Sequence, residues 1–277
     1  MNKMQKISLL LPAIAAVLAG LIAVSAVTYA WITLAVGTFT NVTPMEGKIS
    51  KGDGNLLISE SQEGPFDQQC SLNPTDHPQE LKPISTENLT KFYTPLAQDR
   101  EGYCIRFQDS TEEAGQLAIH GTVYLQYLGE ACDVYFHAPA LQISGDDQVL
   151  SAGRLGLKIT KEDGEVSSFL FKLDALGSTA QAQQRPTVRE DDVVLSGIQG
   201  DGEPVFVPDP ARSVADFMID AENRQKLLSM TFEEIAQVEY WLYLEGCDTA
   251  CYNPVHSQDI TLQLGFAGEP VKEETSD

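Results

Sequence analysis

From Ile7 to Val36 the chain carries no charged side chain, and Ala, Val, Leu, Ile and Gly dominate the run. A helix rises about 1.5 Å per residue, so about 20 such residues cross a bilayer core. Inside hydrocarbon a lone segment satisfies its own peptide groups only as a helix. The run therefore predicts one N-terminal transmembrane helix, with length to spare for tilt. Lys3 and Lys6 precede it and no acid does, which puts the N-terminus inside and the chain after residue 37 outside. Residues 1–36 have two fates: a retained signal anchor, or a signal peptide that is removed. Thr28-Tyr29-Ala30 ends in a small residue, so Ala30–Trp31 is the candidate cleavage bond. The run exceeds the roughly 7–15 apolar residues of an ordinary signal peptide, which favours an anchor unless a specialised peptidase acts.

The rest of the chain is acidic. The formal charge is −22, and the first 36 residues contribute two lysines and no acid. Phosphate recognition needs Lys and Arg, so nucleic acid is excluded as a partner and anionic lipid is disfavoured as a docking surface. The negative charge has two readings. It keeps an extracellular surface solvated, or it collects Ca²⁺ or basic partners. No composition shift marks an internal boundary. One extracellular domain is expected over 37–267, followed by an acidic disordered tail over 268–277 with no second apolar span.

Strand patterns dominate the exported part. In Leu117–Leu128, the side chains of Leu117, Ile119, Val123, Leu125 and Tyr127 share one face at period two. Asp133–His137 follows. Arg154–Thr160 and Val166–Lys172 flank Asp163-Gly164, which predicts a hairpin with positive φ at the turn. Val238–Glu245 and Ile260–Phe266 alternate again, separated by the loop from Cys247 to Ser257. They are expected to pair antiparallel. A short echo links Tyr124–Asp133 to Tyr240–Asp248: each is an aromatic strand running into a Gly, Glu, Cys and Asp turn.

Helices are few. Ser213 to Ile219, continuing toward Leu228, has a capping residue and one apolar side formed by Val214, Phe217 and Met218. Thr231-Phe232-Glu233-Glu234 is a capping-box pattern before a short turn. Residues 61–83 and 179–192 read as exposed connections, and Asp146-Asp147 as a turn. Many short strands with long connections predict a mainly β fold, a two-sheet sandwich with short helical insertions.

No catalytic signature is present: there is no G-x-S-x-G, H-E-x-x-H or phosphate-loop lysine motif. His120 and His137 sit on candidate strands, where a solvent-facing role is the plainer reading. Asp53-Gly54-Asn55 resembles the start of a calcium loop but lacks the later ligands. Asn41-Val42-Thr43 and Asn88-Leu89-Thr90 match the glycosylation sequon, which matters only on a eukaryotic secretory route. No cofactor and no metal site is expected. Of the five cysteines, Cys70, Cys104, Cys132, Cys247 and Cys251, at least one lacks an intramolecular partner because five is odd. Cys247 and Cys251 lie in one loop, where three states compete: a local disulfide, two thiols, or a metal site. The C-x₃-C spacing is a poor zinc signature.

Several stretches resemble one family. They are Ala26–Trp31 at the end of the apolar run, Leu81–Thr86 with Lys91–Tyr93, Cys132–Tyr135, Trp241–Gly246 and Asp259–Phe266. Together they are similar to the SipW-dependent exported surface proteins of Gram-positive bacteria, the TasA-like and camelysin-like group. The resemblance is patchy and covers much of the chain. It implies a jelly-roll-like antiparallel sandwich at the cell surface, and assembly into fibres by strand exchange. Cut after Ala30, the chain would begin with the uncharged, β-prone segment Trp31–Thr40, a candidate donor for a neighbouring sheet edge. The five cysteines depart from the group.

The leading expectation is a cell-surface or secreted structural or interaction protein, an envelope or biofilm-matrix component. It is held to the membrane by its N-terminal helix, or secreted after cleavage, and partners itself or other surface proteins. The competing reading is an extracellular ligand-binding domain for carbohydrate or calcium. That reading uses Trp241 and Tyr243 as exposed aromatics, opposite the buried Val238, Tyr240, Leu242 and Leu244; the plainer reading is that the two aromatics pack under a helix. A hydrolase with a site assembled from distant residues is a third.

Overall fold

A computed structural model describes residues 45–51, 55–72, 74, 81–98, 104–137, 141–144, 147–173, 193–198, 204–248, 251 and 261–271. The expected transmembrane helix, the Ala30–Trp31 bond, the segment Trp31–Thr40, Asp53 and the connection 179–192 lie outside the described residues. No helix among the described residues is long and apolar enough to cross a membrane.

The protein is mainly β, with strands numbered β1–β17 along the chain. One seven-stranded sheet runs β14 (Arg212–Ser213), β11 (Val166–Lys172), β10 (Gly153–Thr160), β16 (Ile235–Glu245), β7 (Ile119–Tyr127) and β2 (Leu56–Ser59). Its seventh strand, β4 (Pro83–Ile84), lies parallel to the end of β16. A six-stranded sheet runs β15 (Leu228–Thr231), β8 (Ala131–Phe136), β17 (Thr261–Pro270), β1 (Met45–Lys51) and β3 (Gln69–Leu72). In it β9 (Gln142–Ser144) pairs with the start of β17. Most ladders are antiparallel, but β1–β17, β4–β16 and β11–β14 are parallel.

The two sheets share one apolar core. Val123, Leu125, Leu157, Val238, Tyr240 and Leu242 come from the first sheet, and Val134, Phe136, Met230, Leu264 and Phe266 from the second. Alternation explains the placement. Along β7 the odd-numbered residues Ile119 to Tyr127 are buried and the even ones are half-buried. Gly121 of β7 faces Tyr240 of β16, and a Cβ on it would meet the Tyr240 hydroxyl at 2.2 Å. The echoed strands β7 and β16 are thus antiparallel neighbours.

Three phenylalanines pack together within this core. Phe171 packs edge-on against Phe136 at 5.1 Å and against Phe217 at 5.2 Å, and all three are buried. Such edge-to-face pairs set the positive ring edge against the negative ring face.

The hairpin expected around Asp163-Gly164 is present. Strands β10 and β11 pair from Arg154↔Lys172 to Thr160↔Val166. Gly164 has φ +86°, and its N–H donates to the Lys161 carbonyl at 2.9 Å. Asp163 does not share the positive φ, so this is a three-residue loop closed by a left-handed glycine rather than a two-residue turn. Nothing lies within 4 Å of a Cβ at Gly164, so a substitution there tests backbone strain alone. Gly164→Val should lower stability by about 1 kcal/mol or more in denaturant melts. An unchanged midpoint would disprove the strain argument.

Other expectations are corrected. Strands β16 and β17 do not pair, because β10 and β7 occupy both edges of β16 while β17 lies between β8 and β1. The chain between them crosses from one sheet to the other. The helix expected from Ser213 shrinks to a 3₁₀ turn, Val214–Phe217, capped by the Ser213 hydroxyl accepting from the Ala215 N–H. One apolar turn is too little periodicity to extend it. Thr231 and Glu234 do bond as a capping pair, but the turn joins β15 to β16 and no helix follows. Asp147 opens a helix, Asp147–Ala152, instead of a turn. Strand β3 forms within the connection expected at 61–83. Strand β17 reaches Pro270, so the tail begins later than residue 268.

Candidate functional site

The outer face of the seven-stranded sheet decides what this domain can present. Half of it is covered. The hairpin β5 (Tyr93–Gln98) and β6 (Cys104–Asp109), the helix Ala114–Leu117 and the segment 81–92 lie over its far end. The hairpin β12 (Val193–Ile198) and β13 (Pro204–Pro208) joins them. Its Leu195 N–H donates to the Ser85 hydroxyl at 3.0 Å, and Phe206 meets Phe107 edge-on at 5.7 Å.

This cover overturns the exposed-aromatic reading. Trp241 and Tyr243 are 8% and 1% exposed and form a second apolar cluster with Ile84, Leu89, Phe92 and Leu117. Trp241 lies between Phe92 at 4.7 Å and His120 at 3.8 Å, centroid to centroid. No open aromatic platform remains there for a sugar ring. His120 also comes within 3.9 Å of Glu239, which accepts from Lys158 at 3.3 Å. His137 follows β8 in the other sheet, where it is buried and its N–H donates to the Gly265 carbonyl at 2.9 Å, so it does not take the solvent-facing role expected of it.

Beneath the cover lies a charge network that sequence reading missed. Arg154, 1% exposed, points outward from β10. Its guanidinium donates to Asp209 at 2.9 Å, to Asp248 at 2.8 Å, and to the carbonyls of Ser151 and Gly153. Lys172 stands 3.7 Å from Asp209. Burial works against the Arg154 charge, but Asp209 and Asp248 outweigh it and hold the guanidinium protonated. Burial pushes the Glu245 carboxyl well above the usual carboxylate range, the neighbouring Cys247 adds to this, and Arg154 only partly offsets it. Charge counting agrees: two cations face two aspartates, and a neutral Glu245 leaves the site balanced.

Glu245 therefore couples stability to pH. The folded carboxyl keeps its proton while the unfolded one loses it near pH 4.3. Its contribution is complete below that value and declines as pH rises, by about 1.4 kcal/mol per unit, until the folded carboxyl ionises. Glu245→Gln should raise the melting temperature at pH 7 and flatten its decline as pH rises above about 5. Parallel pH profiles for the two proteins would refute a neutral Glu245.

Cys247 and Cys251 flank Asp248 in this network. No disulfide joins the two in the structure. The Cys247 N–H donates to the Glu245 carboxyl at 3.0 Å, and the Cys251 N–H donates to the Asp248 carbonyl at 3.0 Å. Burial, then Asp248 and Glu245, push the Cys251 thiol far up, so it is a poor nucleophile at neutral pH. No metal-holding group of three or more His, Cys, Asp or Glu occurs among the described residues. The network clamps the chain after β16 and the chain after β13 onto the sheet.

The other half of the outer face is open. Tyr124, Thr160, Ile235 and Gln237, with Gln62, Lys161 and Glu162, line a groove of about 240 Å³. Lys161 is held there by Glu165 at 3.3 Å, Glu234 at 3.7 Å and Asp163 at 3.8 Å. The groove offers a phenol, carboxamides, a hydroxyl, an ammonium and a carboxylate. Compared with family models, with curated proteins and with solved structures, the chain has no match in any of the three.

Proposed function

We propose that this protein is an envelope-anchored or secreted interaction protein, whose β domain stands outside the cell and binds other macromolecules. The observation that supports it is the charge-free run 7–36, which leads within a few residues into β1. Parallel pairing of β1 with β17 sets Met45 at one end of the sandwich and the C-terminal end of β17 at the other. An anchor would hold the Met45 end near the membrane and turn the opposite end outward. The resemblance to SipW-dependent surface proteins supports the same reading and extends it to a jelly-roll path and a matrix role.

Fibre formation by strand exchange needs a long open sheet edge. In the two large sheets the end strands β2, β3 and β15 have four residues each, and β14 has two. Asp67 already bonds the outer side of β2 through both backbone bonds with Ile58. The edges therefore favour side-chain docking over edge pairing.

Protease added to intact cells or protoplasts should remove the β domain and leave a short N-terminal remnant. Full protection until lysis would overturn the topology. N-terminal sequencing of the mature protein separates an uncut anchor from a chain beginning at Trp31.

A further inference from the structure

At the end of the sandwich away from Met45, three large apolar side chains remain exposed: Leu128 at 43%, Phe232 at 60% and Val271 at 51%. The backbone brings them together. Leu128 follows Tyr127, whose carbonyl accepts from the Glu233 N–H at 2.7 Å. Thr231 pairs with Ala131, and the Ala131 carbonyl accepts from the Val271 N–H at 3.0 Å. The three residues thus flank two adjoining backbone contacts. Ile235 and the bound Lys161–Glu234 pair connect this tip to the open groove.

The turn that displays Phe232 is braced. The Glu234 carboxylate accepts from the Thr231 N–H at 2.8 Å and from its hydroxyl at 3.1 Å, and the Glu234 N–H returns to the Thr231 carbonyl. Glu233 sits at φ +60°, a conformation costly for a side chain other than glycine or asparagine. A strained, cross-bonded turn that holds a phenylalanine outward is built like an interface anchor. Its entropy cost on binding is small because the geometry already exists.

The surrounding charge selects the occupant. Glu130, Glu162, Asp163, Glu165 and Glu233 are exposed on the turns that frame the tip. Lys161, the cation on those turns, is engaged by three carboxylates. A second copy would bring the same acidic rim and a chain charge of −22. Anionic lipids and acidic glycans meet the same repulsion.

We propose that this tip is a docking surface for a partner protein that sets an apolar pocket over Phe232 and rings it with lysines or arginines. The proposal deepens the interaction reading and does not depend on export. Protease protection on intact cells would overturn the topology yet leave this site to be tested by itself.

The probe is a library of phage-displayed random peptides, selected on the full chain in nanodiscs after depletion on empty nanodiscs. The expected binders have an apolar centre flanked by Lys or Arg. They weaken with rising salt and bind Phe232→Ser and Leu128→Ser about tenfold less tightly. Both positions are exposed, so thermal melts should show both variants folded. Binders indifferent to both substitutions place recognition elsewhere and overturn the proposal. Binders that lack basic residues overturn its chemistry. A selection without binders, or salt-stable self-association abolished by Phe232→Ser, overturns the partner assignment.

Discussion

Arg154→Met should cost about 3–5 kcal/mol of stability. The cause is the charge left behind. Asp209 and Asp248 are 4% and 2% exposed, and the guanidinium is the cation that bonds both, while Lys172 stands 3.7 Å from Asp209. Two desolvated carboxylates then either stay charged at high cost or take up protons. Replacing all three residues together, Arg154→Met with Asp209→Asn and Asp248→Asn, should recover much of the loss, because a neutral set carries no uncompensated charge. Chemical denaturation of the single and triple variants checks both statements. A single variant within about 1 kcal/mol of the parent protein would show that water reaches the network.

The second large effect belongs to the ring cluster. Phe171→Ala should cost about 3–5 kcal/mol, combining lost transfer energy with the cavity left between Phe136 and Phe217. Phe171→Leu keeps most of the volume and should cost much less. The contrast separates packing from a general intolerance at this position. Equal losses for Ala and Leu would mean that ring geometry, and not volume, holds the two sheets together.

What was legible in the sequence follows from range. The β10–β11 hairpin was readable because its alternation and its glycine turn are local, and local sterics decide them. The inward face of β7 was readable for the same reason. Alternation says which residues share a face but not which sheet a strand joins, so β16 and β17 were paired wrongly. That Trp241 and Tyr243 pack under a covering element was the plainer reading of their strand, but which segments cover them was not readable, because those come from distant parts of the chain. The Arg154 network failed hardest. Its members come from positions 154, 172, 209, 245 and 248, and each alone looks like an ordinary surface charge. Burial of β10 on both faces was the missing fact, and only Gly153, Gly156 and the apolar alternation hinted at it. The Phe232 tip was visible only as a capping pattern, since its exposure depends on no helix following the turn.

The pairing of β1 with β17 has a consequence in time. The first described strand has for its parallel neighbour the last one, roughly 200 residues later along the chain. Synthesis delivers β1 long before β17. Until then one edge of β1 has no neighbour, and the core waits for Leu262, Leu264 and Phe266. The six-stranded sheet cannot close until those residues have left the ribosome, although every strand of the seven-stranded sheet precedes them. A product terminated before β17 lacks the strand that joins β8 to β1, and its second layer is left open to proteases.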